Sequence, residues 1–283
     1  MSATQLEWGL DKLGEWTEPR EFEVTPERTI AYARATNDEN PRHLSGELAP
    51  PVFAIVPVFE TLAPSMVSVV PGEVLMRVVH GEQDFRFAAP IIPGQKVVSR
   101  AAPVGIHGRS SGVQVVAKAI IESESGELLV EQYMTGFFRG AVLDESLGEA
   151  LTDHAFPSEV RSSAPLGAVT HGYDPDQTQR YSEASGDPMP IHLDDNFAKA
   201  MGLPGIIVHG MCTMAFTSRA VIGAACPEDP TRLQRLAVRF SKIVQPSEQV
   251  TTTMWDGGSR VVHFETVSDN GNVAIKDGLA EVA

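Results

Sequence analysis

Apolar residues recur at period two in two long stretches of the chain, and each stretch follows a segment with helical spacing. In the first half the strand-like runs are "VLMRVVHGEQDFRF", "KVVSRAAPVGI", "GVQVVAKAIIESES" and "LLVEQYMTGFFRG", with a turn at Ser125-Gly126. In the second half they are "RLAVRFSKIV", "QVTTTMW", "SRVVHFETVSD" and "VAIKDGLAEVA". Asp256-Gly257-Gly258 and Asn270-Gly271 between them are hairpin signals. Before this second set, "GIIVHGMCTMAFTSRAVIGAA" places Met211, Ala215 and Ile222 on an apolar stripe and predicts a long, largely buried helix. Further upstream, Asp174-Pro175-Asp176-Gln177 reads as a helix start, with Asp174 as cap, proline at the first helical position and Gln177 completing a capping box. That helix ends near Gly186, and a short one from Asp195 to Met201 is closed by Gly202. A buried helix followed by an antiparallel sheet, occurring twice, predicts an α+β fold of two sheets, each wrapped around a helix.

The two halves also match residue by residue. "YARATNDENPRH" (Tyr32 to His43) lies against "YSEASGDPMPIH" (Tyr181 to His192) without a gap, pairing Asp38 with Asp187, Pro41 with Pro190 and His43 with His192. "FRFAAPIIPGQKV" (Phe85 to Val97) likewise aligns with "VRFSKIVQPSEQV" (Val238 to Val250). A duplicated unit explains both matches. The predicted division is an N-terminal repeat over 1–145, a polar linker over 146–165 and a C-terminal repeat over 166–283.

Composition narrows the function classes. The 283 residues carry a net charge of −15, from 22 basic and 37 acidic side chains. A chain so acidic is a poor nonspecific nucleic-acid binder, although a local basic rim still suits an anionic small molecule. No apolar run reaches the roughly 18 residues of a membrane span. "MSATQLEWGLDKLGEW" lacks the basic start and apolar core of a secretory signal. Cys212 and Cys226 read as buried thiols in a reducing, cytoplasmic setting, with no zinc-ligand spacing around them.

"YSEASGDPMPIHLDDNFAKAMGLPGIIVHGMCT" resembles the signature of the MaoC-like (R)-specific enoyl-CoA hydratases. That signature is an aromatic residue, Gly-Asp-x-Asn-Pro-aliphatic-His, and later a His-Gly that opens a long helix. The resemblance is dense from Tyr181 to Ala215 and looser over both halves. It implies a double hot-dog, with two antiparallel sheets each around a long central helix. It also implies an acyl-CoA thioester substrate, no metal or redox cofactor, and compatibility with a homodimer. "APPVFAIVP" (Ala49 to Pro57) is similar to the N-terminal unit of two-repeat relatives, which houses the acyl chain without chemistry of its own.

Hydrating a trans-2-enoyl thioester requires an activated water, a proton delivered to Cα, and polarisation of the thioester oxygen. An acid and an imidazole holding one water serve the first two needs. Pro188 and Pro190 forbid a regular helix and stiffen the loop between Asp187 and His192, which take that role. The third need falls to the Gly210 N–H at a helix entry, with His209 supporting the pocket wall. Ser218 takes the place of a pocket serine in some smaller relatives, against the simpler reading of a polar helix-face residue. Arg239 and Lys242 are candidates for coenzyme A phosphates, against the reading of solvated rim charges. Met189 stands where the family commonly has an asparagine that bonds near the water or orients the loop; the first repeat keeps that residue as Asn40. The first repeat also keeps Asp38 and His43 but reads Ile55-Val56 opposite His-Gly, which predicts an altered oxyanion site there. A hot-dog thioesterase, and a non-catalytic protein that binds acyl-CoA or stabilises a partner, remain open alternatives at this point.

Overall fold

The computed structural model describes residues 6–283; the first five residues of the N-terminal repeat, which open the stretch judged against a secretory signal, lie outside the described residues. The first repeat runs β1 (Arg20–Glu23), α1 (Pro26–Ala35), α2 (Pro41–Leu44), α3 (Phe59–Val67), β2 (Val78–Phe87), β3 (Lys96–Arg109), β4 (Gly112–Ser123) and β5 (Leu128–Arg139). The connector carries β6 (Ser146–Gly148) and α4 (Ser158–Arg161). The second repeat runs β7 (Gly167–Gly172), α5 (Gln177–Ser185), α6 (Asp195–Ala200), α7 (Gly210–Ala225), β8 (Leu233–Phe240), β9 (Gln249–Gly258), β10 (Val261–Ser268) and β11 (Val273–Val282). The predicted double hot-dog is present, and its two sheets are joined. β2 pairs antiparallel with β8, Glu82 opposite Arg239 and Arg86 opposite Arg235, so one 11-stranded sheet runs β1-β3-β4-β5-β2-β8-β11-β10-β9-β7, with β6 on β3.

The central helices differ between repeats. α7 is long and buried nearly all round, from Met211 to Ser218 and Ala220 to Ile222. The first repeat has instead a 3-10 segment, Pro51–Ile55, and the short α3, so the expectation of two long helices holds only for the second. Prolines explain the break: Pro50, Pro51 and Pro57 lack N–H donors, and Pro64 lies inside α3. The helix start upstream of the site also shifts slightly. Gln177 Oε1 accepts from the Asp174 N–H (3.1 Å) as a capping box requires, but the Asp174 carboxylate turns to Arg180 and Asn37 and caps nothing. Gly186 ends α5 at φ +78, as expected. The β9–β10 turn falls two residues later than the Asp-Gly-Gly signal, on Ser259 and Arg260 (φ +49 and +66). A register shift between Asp256 and Gly258 absorbs the Asp-Gly-Gly segment into the strand.

The connector is fastened to the outer face of the sheet. Phe156 stacks on His263 (5.0 Å) and meets the edge of Trp255, while Arg161 covers Phe156 and pairs with Glu265. His154 lies between two acceptors: Nδ1 donates to the Asp277 carbonyl (2.6 Å) and Nε2 to Glu82 Oε2 (3.1 Å). Both ring nitrogens therefore carry protons, and His154 is an imidazolium. Burial opposes that charge, but the Glu82 carboxylate and the Asp277 carbonyl outweigh it and raise the His154 pKa above its ordinary value. Burial likewise opposes the Glu82 carboxylate, which His154 and Arg239 nevertheless hold below the usual range. The signs follow from linkage. The His154 contribution to stability is complete below its unfolded pKa of about 6.5 and is lost as pH rises through the raised folded value. We expect Tm to fall between pH 6 and 9 more steeply in the wild type than in His154→Gln, by calorimetry at constant salt; parallel slopes would contradict the paired imidazolium.

Candidate active site

Residues Asp187, His192 and His209 converge from separate segments, and each offers a ligand atom within 4.8 Å of the others. The left-handed Gly186 turns the chain out of α5, and Pro188 holds the next step extended. Asp187 Oδ1 then accepts the Met189 N–H at 3.1 Å, which leaves its second oxygen uncommitted. Pro190–His192 forms one 3-10 turn that delivers the buried His192 ring. Its Nδ1 donates to the Ile207 carbonyl at 2.8 Å, so Nε2 carries the lone pair. His209 stacks on His192 with ring centroids 3.7 Å apart and planes at 25°. Its Nε2 points at the Asp187 carbonyl (3.4 Å), and its Nδ1 is buried without a partner. Burial pushes the His209 pKa down to about 3, helped by the neighbouring His192, and burial also lowers His192. Both rings are neutral at working pH, so the site holds a carboxylate, a basic imidazole nitrogen and little competing charge.

Next to this pair is the entry of α7. Its first internal bond runs from the Thr213 N–H to the His209 carbonyl (3.1 Å), so the amides of Gly210, Met211 and Cys212 have no acceptor within the helix. The Phe240 ring closes one side of Gly210, lying 3.3 Å from where a Cβ would stand.

The first repeat carries the same loop in a different arrangement. There His43 Nδ1 bonds Asp38 Oδ2 directly at 2.7 Å, with both side chains buried. The acid is closed on the imidazole, whose Nε2 is buried without a partner, whereas the His192 Nδ1 goes to the Ile207 carbonyl and leaves Asp187 unpaired with it. The helix entry differs as well. The Ala49 N–H donates to Ile91 O just as the Val208 N–H donates to Val244 O, and Leu48 N to Arg42 O just as Ile207 N to Ile191 O. These bonds put Pro50-Pro51, and not Ile55-Val56, opposite His209-Gly210. Pro51 has no N–H to offer an oxyanion.

The remaining sequence candidates are dispersed. The Ser218 hydroxyl, lower on α7, donates to the Ala215 carbonyl at 2.8 Å, so the pocket-serine reading gives way to a back-bonded helix serine. Arg239 bridges Glu82 (3.3 Å) and Asp277 (3.1 Å) on the outer face, balanced by two carboxylates, and is not a free phosphate contact. Lys242 is exposed just past β8. Met189 is 41% exposed at the rim of the site. Its backbone N–H orients Asp187 as the Asn40 N–H orients Asp38 (2.9 Å), so that duty needs no particular side chain. The Asn40 side chain caps Arg42 N in α2.

Residues 156–277 match the MaoC like domain family, and residues 11–132 match the FAS1-like dehydratase domain region. The second repeat thus carries a MaoC like domain and the first a FAS1-like dehydratase region. It is 29% identical over 205 residues to a peroxisomal enoyl-CoA hydratase 2 of Arabidopsis thaliana, covering 70% of this chain and 66% of that protein. It is 28% identical to 3-hydroxyacyl-thioester dehydratase Y of Mycobacterium tuberculosis, covering 96% of this chain and 97% of that one. A MaoC-like dehydratase structure from Phytophthora capsici superposes with TM-score 0.86 at 23% identity, over 97% of this chain and 98% of that one, and shows the shared fold.

The helix entry can be tested by copying the first repeat. Gly210 is the first residue of α7, where proline is tolerated, and His209 already has the extended backbone that precedes a proline (φ −57, ψ 133). Gly210→Pro removes the N–H and keeps the helix. We expect kcat for a trans-2-enoyl-CoA to drop by about 10²–10³, the usual effect of losing one oxyanion donor. Gly210→Ala keeps the N–H and retains most of the rate, since Phe240 needs to yield only slightly. Equal losses in the two variants would contradict the assignment.

Proposed function

We propose that this protein reversibly hydrates trans-2-enoyl-CoA to (R)-3-hydroxyacyl-CoA. The observation that carries the reading is the contrast between the repeats: Asp187 and His192 are uncommitted beside a free helix entry, whereas Asp38 and His43 are closed on each other at 2.7 Å. A water between the Asp187 oxygen and His192 Nε2 gives up a proton as its oxygen bonds C3. The proton returned to Cα comes from the same pair. The Gly210 N–H takes the charge that develops on the thioester oxygen, helped by the positive end of α7. The neutral state of His192 suits it to accept the proton first.

The MaoC like domain and the enoyl-CoA hydratase relatives support acyl-CoA as the substrate class. The chemistry is proposed to run without a metal or redox cofactor. Lone pairs lie in the plane of an imidazole, and the planes of His192 and His209 are stacked nearly parallel, so their lone pairs do not aim at one ion. A cytoplasmic setting is proposed from the two free, buried thiols, and a homodimer remains compatible with the reading.

The direct test is to make Asp187→Asn and Asp38→Asn singly and follow crotonyl-CoA hydration at the enone absorbance. Asp187→Asn should lower kcat by about 10²–10⁴, the range for removing a general acid–base group. Asp38→Asn should keep most of the rate and lose stability, because it breaks a buried pair. Activity lost only in Asp38→Asn, or thiol release in place of absorbance loss, would overturn the reading.

A further inference from the structure

The two repeats are related by a constant offset along their central strands. Phe85-Arg86-Phe87 of β2 corresponds to Val238-Arg239-Phe240 of β8, which makes Leu233 the repeat counterpart of His80. In the first repeat, Pro50, Pro51, Phe87, Leu233 and Gln234 help to line an apolar cavity of about 110 Å³. The same positions around the catalytic entry are His209, Gly210, Phe240, His80 and Gly81. The second site thus replaces a leucine with a histidine, and that histidine comes from the repeat without chemistry.

The contacts agree with this placement. The His80 ring lies 4.6 Å from the ring of Phe240, and Phe240 flanks Gly210. His80 Nε2 is sealed from solvent and has no hydrogen-bond partner. Three residues further along β2, Gln83 Nε2 donates to Gln132 Oε1 (3.0 Å), and Gln132 Nε2 donates to the Ala54 carbonyl (2.8 Å). Gln83 Oε1 is left buried and unpartnered. Burial pushes the His80 pKa down to about 4, so the ring is neutral and offers one N–H and one lone pair. The Gln83 side chain and the Glu82 backbone both act on the His80 ring, yet neither His80 Nε2 nor Gln83 Oε1 completes a well-formed hydrogen bond; buried polar atoms in that state are costly, and a hydrocarbon chain passing the pair would not satisfy them. A hydroxyl pairs with either tautomer of His80 and donates to a glutamine oxygen.

We infer that His80 completes the catalytic pocket from the N-terminal repeat, and that with Gln83 it selects acyl-CoA thioesters whose chain carries a hydroxyl group beyond C3. This rests on the hydratase reading for the reaction but not for the pocket. A site that hydrogen-bonds a substrate hydroxyl rejects the analogue without it far more strongly than an apolar pocket rejects an extra methylene.

The test compares trans-2-hexenoyl-CoA with its 4-, 5- and 6-hydroxy derivatives by kcat/KM at the enone absorbance. Binding of hexanoyl-CoA and the matching saturated hydroxyhexanoyl-CoA thioesters is measured by calorimetry in parallel. For the wild type we expect at least one hydroxy derivative to exceed the parent by about tenfold or more. His80→Leu, which copies Leu233, should bring that ratio close to one. His80→Gln, which keeps a donor and an acceptor, should preserve it. The wild-type ratio needs no variant, so a folding defect in His80→Leu does not remove the test. Hydroxy derivatives no better than the parent in the wild type, or a preference unchanged in His80→Leu, would overturn the inference. Tighter binding of a saturated hydroxyacyl-CoA with no turnover of any enoyl-CoA would support the pocket and sink the hydratase reading. Turnover without preference would do the reverse.

Discussion

The antiparallel pairing of β2 with β8 is the constraint on which the rest of the molecule depends. Each repeat alone would leave this strand as an open edge of a half-covered sheet. Joined, the strands place Glu82 opposite Arg239 and Arg86 opposite Arg235, and bring the first repeat's Pro51–Ile55 turn against α7. The Tyr32 and Tyr181 hydroxyls meet at 3.3 Å across the same junction, and the Tyr181 ring packs 4.8 Å from His209. The first repeat therefore walls the Asp187–His192 loop of the second. On the outer face the same seam carries the ion network of Glu82, His154, Arg239 and Asp277, which binds the connector to both halves.

Duplication also provides an internal comparison within one chain. Both repeats keep an acid and a histidine five residues apart with a proline between them, and both orient the acid with a backbone N–H two residues later. The two loops differ in what takes the histidine Nδ1. In the second repeat a carbonyl takes it, the acid stays free, and the ring is stacked and neutral. In the first repeat the acid takes it, and the site collapses into a buried pair. The helix entries diverge in the same direction, glycine with a free N–H against proline with none. Two independent changes thus distinguish the two loops, and the proposed function assigns the chemistry to the second.

Much of this was legible in the residues, because the relevant signals are local. The strand runs, the Gly186 stop, the stiffened Asp187–His192 loop and the buried α7 all follow from period, proline and glycine. Long-range consequences were not legible. Strand pairing between repeats left no trace in either strand's own pattern, so two sheets were expected where one continuous sheet forms. The counterpart of His209-Gly210 was misplaced because about ten more residues separate loop from helix entry in the second repeat; only the bonds of Ala49 and Val208 restore the register. Met189 departs from the family's asparagine, but the backbone N–H at that position orients the acid in both repeats. His80 carries no local signal, since its neighbours Phe240 and Gly210 are distant in sequence and come from the other repeat. Arg239 was legible as a strand charge, but its two carboxylate partners come from β2 and β11.

The central claim is that one repeat, and only one, polarises the thioester carbonyl. It is tested most directly by difference infrared spectroscopy of hexanoyl-CoA carrying ¹³C at the thioester carbonyl, titrated onto the intact protein. The account predicts a single carbonyl band, shifted below its position in water, that saturates at one equivalent per chain and is unchanged in Asp38→Asn. A bound carbonyl at the aqueous frequency, or a second shifted band filling with a second equivalent, would contradict it.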